Sequence, residues 1–279
     1  MELVFPSMDF PARFANGDPV ITSVGFGSLQ SAHCAFATPM LNYQKSVYLS
    51  IANLMADAGL TPRLQLGEFV WWFFSKAGGG MAYYDDETLA AALTALGRPL
   101  HEFLQPTDDP TINGSADAMF LRNRLRDHAA GIIAHVQATH PTAKFELLFP
   151  YDVNHPTLVP GHNLGGALNR FVNLPVEWET KPGSGFDTLK MEALDFGAWS
   201  RNLDLARTAI RLPIDLGWPK DSIRYLVPVF RPYNAWVAEY QIAVSEGVPY
   251  INLWAFDHVC LYNLQVEAPG QSARVYASD

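Results

Sequence analysis

Residues 62–74, PRLQLGEFVWWFF, decide the fold of this chain. Leu64 and Leu66 alternate with Arg63 and Gln65, the period-two pattern of a strand with one buried face. Gly67-Glu68 closes the run and aromatics follow at once. A carboxylate at the C-terminal end of a strand is where α/β enzymes commonly hold a catalytic acid, so Glu68 is the first candidate. A solvated charge or an ion-pair partner is the competing reading of the same residue.

Working outward, Val20–Phe26 (VITSVGF) is rich in β-branched residues and reads as a strand. Pro39 opens a helical pattern of Leu41, Val47, Ile51, Leu54 and Met55 that Gly59 stops. Strand, helix and strand with short joints make a βαβ unit, so parallel pairing is expected. Downstream, Asp85 or Asp86 caps a helix to Leu96, and a long amphipathic helix runs from Asp117 to His140. Lys144–Pro150 (KFELLFP), Arg224–Phe230 and Tyr250–Ala255 read as strands, with an Ala-rich helix at 233–245. Asn169–Asn173 (NRFVN) reads as a short strand, and Thr188–Leu212 as helix material broken at Gly197.

Six strands alternating mostly with helices give an α/β fold, and the richness of the loops at the same strand ends favours a TIM (β/α)8-type barrel. Either Glu2–Phe5 and one irregular segment supply two more strands, or the chain is the later portion of a barrel from a longer parent. A doubly wound open sheet is the alternative, but no GxGxxG turn supports it. With 279 residues, 49% hydrophobic and without an internal repeat, the chain suits one large domain over 1–279.

Composition narrows the partners. Twenty-eight acidic against 19 basic residues leave a net charge of -9, so a non-specific nucleic-acid grip is not expected. Neither a signal peptide nor a membrane-spanning run is read in this chain. Cys34 and Cys260 have no metal-ligand spacing and read as buried thiols. Asp152, Asn154, His155 and His162 crowd one loop without a zinc or calcium pattern, so no metal or cofactor is expected. Aromatics make up 13% of the chain, and aromatic-lined clefts suit the apolar faces of sugar rings.

Glycoside hydrolysis needs two carboxylates, one protonated to help the leaving oxygen and one ionised to attack or to activate water. With Glu68 as acid, the second is sought in Asp152 after KFELLFP, or in Glu177 and Glu179, which flank Trp178 in LPVEWE. Asp152 also suits a turn-capping role. Glu192 falls in LKMEALDFGAW, whose helical reading takes it off the strand ends. Trp71, Trp72, Tyr151, Asn154, His155, Arg231, Trp254, Asp257 and His258 follow strands and are expected to line a polar, aromatic mouth.

The runs SVGFGSLQSAHCAF, LQLGEFVWWFF with GGGMAYYDDET, FELLFPYDVNHP, LNRFVNLPVEW and INLWAFDH resemble a group of TIM-barrel domains in large bacterial and phage proteins. That group looks like glycoside hydrolases and is linked to phage tails or tail-like particles, including non-contractile tail sheath proteins. The resemblance implies polysaccharide or oligosaccharide as a partner, or other subunits of a tail-like particle, and a location in the virion or such a particle. It also implies a register in which Glu68 ends the fourth barrel strand and Trp254 lies on the eighth, as in the large TIM-barrel glycosidase clan. Two departures stand out. That clan carries Asn before its acid, where this chain has Gly67, and a nucleophilic Glu ending the seventh strand, where this chain has Val229-Phe230-Arg231. The expected function is therefore a glycosidase-like domain that binds, and if active cleaves, a bacterial or surface polysaccharide. The alternative is a catalytically inactive structural barrel of a tail-like assembly.

Overall fold

The computed structural model describes residues 11–21, 33–67, 70–74, 80–162, 164–199, 202–229 and 235–254. Strand β1 (Arg63–Leu66) buries Leu64 and Leu66 and exposes Arg63 and Gln65, as its alternation requires. It is followed in the sheet by β2 (Lys144–Pro150), β3 (Thr188–Glu192), β4 (Ile223–Pro228) and β5 (Tyr250–Trp254), in that order. The pairs β2–β3, β3–β4 and β4–β5 are all parallel. Parallel neighbours in strict chain order are the wiring of a barrel, whereas a doubly wound sheet reverses direction at a switch point. Five of a barrel's eight strands lie among the described residues, so the barrel is incomplete there.

The described residues fall into two compact units: those of 11–145 with 153–176, and those of 146–152 with 177–254. In the first, α1 (Thr38–Asp57), α2 (Asp86–Leu96) and α4 (Ala167–Asn173) pack against the long α3 (Ser115–Thr139). The buried face of α3 is Leu121, Leu125, Ala129, Ile132 and Val136, a helical stripe. Asp85 caps α2 by accepting the Thr88 N–H at 2.9 Å, and Gly97 ends it in the left-handed conformation.

In the second unit, the short α5 (Lys181–Ser184) precedes β3. The helices α6 (Leu203–Asp215) and α7 (Ala235–Ser245) pack together and onto β3 and β4. Leu189, Met191, Ile223, Tyr225 and Val227 alternate onto the buried face under those helices. Residues of opposite parity carry a charged row across the other face. Lys190 pairs with Glu146 at 2.5 Å, Thr188 donates to Glu146 at 3.2 Å, and the Arg224 guanidinium lies 3.8 Å from the Tyr250 ring centre.

Two segments differ from the sequence expectation. NRFVN is the body of α4 and not a strand: Leu168 and Val172, four apart, are both buried, which is helical spacing. LKME is strand β3 and not helix. Its straight-chain residues favour helix locally, but hydrogen-bonded neighbours on both sides override that preference. Of Val20–Phe26, only Val20 and Ile21 are described; the Val20 N–H donates to the Ala12 carbonyl and its carbonyl accepts from the His33 N–H. Cys34 is free and half-buried, while Cys260 lies outside the described residues.

Candidate functional site

The loop after β1 builds the first candidate site. Its aromatics alternate in direction. Trp72 turns inward, with its ring edge-on to Phe36 at 4.5 Å and its indole N–H donating to the Leu121 carbonyl at 3.0 Å. Asn173 of α4 clamps the Trp72 backbone from both sides, accepting its N–H at 2.6 Å and donating to its carbonyl at 3.2 Å. Trp71 and Phe73 turn the other way and stack, with ring centres 5.6 Å apart and planes 23° from parallel. His33 backs this pair. Its ring centre is 4.1 Å from that of Phe73, and its Nε2 lies 2.7 Å from the Trp71 carbonyl. Burial lowers the His33 pKa to about 4, against the opposing pull of the Trp71 carbonyl, so the ring is neutral with its proton on Nε2.

These aromatics wall a cavity of about 130 Å³ with Phe74, Pro106, Val153, Asn154, Leu164, Gly165 and Asn169. None of these lining side chains is charged. Asn154 Oδ1 accepts from Asn173 at 2.9 Å; Asn169 donates to the Val153 carbonyl at 3.0 Å, while its buried Oδ1 has no hydrogen-bond partner among the described residues. The cavity therefore offers aromatic faces, backbone polarity and one amide oxygen, that of Asn169. Such a surface takes up a ring with an apolar face and hydroxyl edges, without supplying a proton acceptor for chemistry.

Trp71, Trp72 and Asn154 thus come together in one cavity, with Trp72 as its frame. His155, half-buried, turns its Nδ1 back on the Thr157 backbone at 2.8 Å. Glu68, Arg231, Asp257 and His258 lie outside the described residues.

The second unit gathers acids at its strand ends. Asp152, two residues past β2, is 5% exposed and accepts the Asp195 backbone N–H at 2.8 Å, a bond to a residue 43 positions on rather than within its own turn. Glu192, the last residue of β3, is 7% exposed. The helical reading had taken it off the strand ends; the strand puts it there. Tyr151 is buried, its ring edge-on to Phe196. Glu177 and Glu179 are half-buried, Glu177 within the 3-10 turn Val176–Trp178 and Glu179 just after it, with Trp178 buried between them. Trp254 ends β5 and is 43% exposed. Sequence reasoning missed Glu239 on α7. It is fully buried, and the Tyr225 hydroxyl donates to its carboxylate. The signal for it was its spacing from Trp236 and Ala243, which puts a carboxylate on the apolar stripe of the helix. No three His, Cys, Asp or Glu side chains converge as a metal site among the described residues, and no described helix is long and apolar enough to cross a membrane.

Sequential parallel strands, helices between them and elaborated loops at their C-terminal ends define a TIM-barrel domain. The chain superposes on the catalytic domain of β-amylase from Paenibacillus polymyxa with a TM-score of 0.56 and 11% identity, over 91% of this chain and 70% of that one. It also superposes on the PgaB (BpsB) glycoside hydrolase domain from Bordetella bronchiseptica, with a TM-score of 0.51 and 11% identity, over 86% of this chain and 65% of that one. At that identity the likeness is one of fold. No curated protein sequence matches the chain. Residues 7–261 match the TIM barrel of the non-contractile tail sheath protein, and the chain belongs to that family.

Proposed function

We propose that this chain is a carbohydrate-binding barrel module of a tail sheath protein, one that holds a bacterial or surface glycan without hydrolysing it. The observation that carries the reading is the uncharged aromatic cavity walled by Trp71, Phe73 and Phe74. The C–H face of a pyranose stacks on such rings, and its hydroxyls reach the backbone at the rim. The burial of Asp152 and Glu192 supports binding over cleavage, because a hydrolytic pair must touch both sugar and water. The missing glutamate at Val229-Phe230-Arg231 points the same way. Partners of the module are an oligosaccharide in the cavity and neighbouring subunits of the particle, and its location is the virion or a tail-like particle.

Titration of oligosaccharides against the wild type and Trp71→Ala, with parallel assays of product formation for the wild type and Glu68→Gln, tests the proposal. About tenfold weaker binding by Trp71→Ala is expected, with no product from either the wild type or Glu68→Gln. Cleavage by the wild type that Glu68→Gln abolishes would restore Glu68 as general acid and the hydrolase reading. A wild type that binds no glycan would leave the structural barrel alone.

A further inference from the structure

Glu239 does nothing for the glycan-binding reading, yet it occupies a demanding position. It lies on the buried stripe of α7, with no exposed surface. The Tyr225 hydroxyl of β4 donates to Oε1. Oε2 has no hydrogen-bond partner among the described residues and rests against Gly197, where the carboxylate leaves no room for a Cβ. Gly197 belongs to the π-helical turn Asp195–Trp199 that follows β3. The turn is held at its start by Asp152, which accepts the Asp195 N–H. One carboxylate therefore pins the first residue of the turn, and a second, with a free oxygen, supports its third.

Acids surround this position. Asp152 from the end of β2 acts on both Glu239 and Tyr225, and Glu192 from the end of β3 acts on Tyr225. Asp195 adds a further carboxylate in the turn itself. The cations of the same strands, Lys190 and Arg224, are engaged with Glu146 on the opposite face of the sheet. An ionised Glu239 needs a solvating partner at Oε2, and Gly197 lies directly against that buried oxygen.

We propose that Glu239 is a proton-operated latch on the turn after β3: the protonated acid lets the turn pack down on α7, and loss of the proton drives the turn off. Burial first, with Asp152 adding to it and the Tyr225 bond opposing, raises the Glu239 pKa to about 8, which puts the release in mildly alkaline solution. A π-helical turn, with its looser hydrogen bonding, is suited to such movement.

Hydrogen–deuterium exchange of the whole chain, followed by mass spectrometry on peptides covering 193–202 and corrected for intrinsic exchange, reads the latch directly. In the wild type, protection of the turn is expected to fall about tenfold between pH 6.5 and 9.5 while that of β2 holds. In Glu239→Gln it stays flat. Tyr225→Phe, which removes a donor that favours the ionised form, moves the fall to higher pH. Constant wild-type protection, or a fall in Glu239→Gln matching the wild type, overturns the proposal. If Glu239→Gln does not fold, an unshifted fall in Tyr225→Phe overturns it.

Discussion

Asn173 holds the backbone of Trp72 from both sides, accepting its N–H and donating to its carbonyl across 101 positions of sequence. One side-chain amide does the work of a strand neighbour for a residue that has left its strand. A third bond, to Asn154 Oδ1, ties the same amide to the loop after β2. Asn173→Ala removes all three and leaves a buried backbone N–H without that acceptor. A loss of about 2–3 kcal/mol is expected, seen as a lower midpoint in urea. Asn173→Asp keeps the acceptor for Trp72 but loses both donated bonds, and is expected to be at least as damaging because it buries a charge.

Gly165 lines the cavity at a φ of 84°. A Cβ there would meet the Thr157 carbonyl at 2.5 Å and the His155 carbonyl at 2.8 Å. Both neighbours are backbone, so neither can swing aside. Gly165→Ala is expected to cost about 1–3 kcal/mol by thermal or chemical denaturation. It is also expected to weaken binding in the cavity, because the rim must shift to admit the methyl group.

Much of the fold was legible because local and tertiary signals agree. The Leu64–Leu66 alternation, the Pro39 start of α1, the Asp85 cap with Gly97, and the stripe of α3 each specify one structure. LKME and NRFVN were misread for opposite reasons. LKME is composed of helix formers, and only the flanking strands β2 and β4, distant in sequence, make it extended. NRFVN is short, and a five-residue apolar pattern does not separate strand from helix. From β1 to β5 the number of strands still agrees among the described residues, because one error replaced the other. At the site, the aromatic run announced a cavity, since four consecutive aromatics have few other uses. Asn173 and His33, which fix that cavity, come from remote elements, and no local spacing connects them to Trp71 or Trp72.

His128 offers an acid-side test. It is buried between helices, with Nε2 lying 2.6 Å from Oε1 of Gln44 on α1. Burial, reinforced by Arg124 and Lys45, lowers its pKa to about 3. His33 is lowered to about 4 for the same first reason. As pH falls below 6.5 the unfolded chain binds protons that the folded chain refuses, so stability drops toward acid. Each histidine contributes a slope of about 1.4 kcal/mol per pH unit until its folded pKa is reached. His128→Gln is expected to remove about half of the histidine slope between pH 6 and 4, measured by guanidinium midpoints at each pH.

Glu239 gives the opposite sign. Its folded pKa of about 8 stands above the ordinary carboxylate value of 4.5. Between these two values the folded chain keeps a proton that the unfolded chain releases, so raising the pH favours unfolding. The penalty grows by up to about 1.4 kcal/mol per pH unit from pH 4.5 and levels off above pH 8. Glu239→Gln keeps the shape and the acceptor for Tyr225 but has no proton to lose. Its stability is expected to be nearly that of the wild type at pH 4.5 and to exceed it progressively up to pH 8. Denaturant midpoints for the two proteins at several pH values measure the difference, and curves that run parallel from pH 5 to 8 would show that the folded protein carries Glu239 ionised.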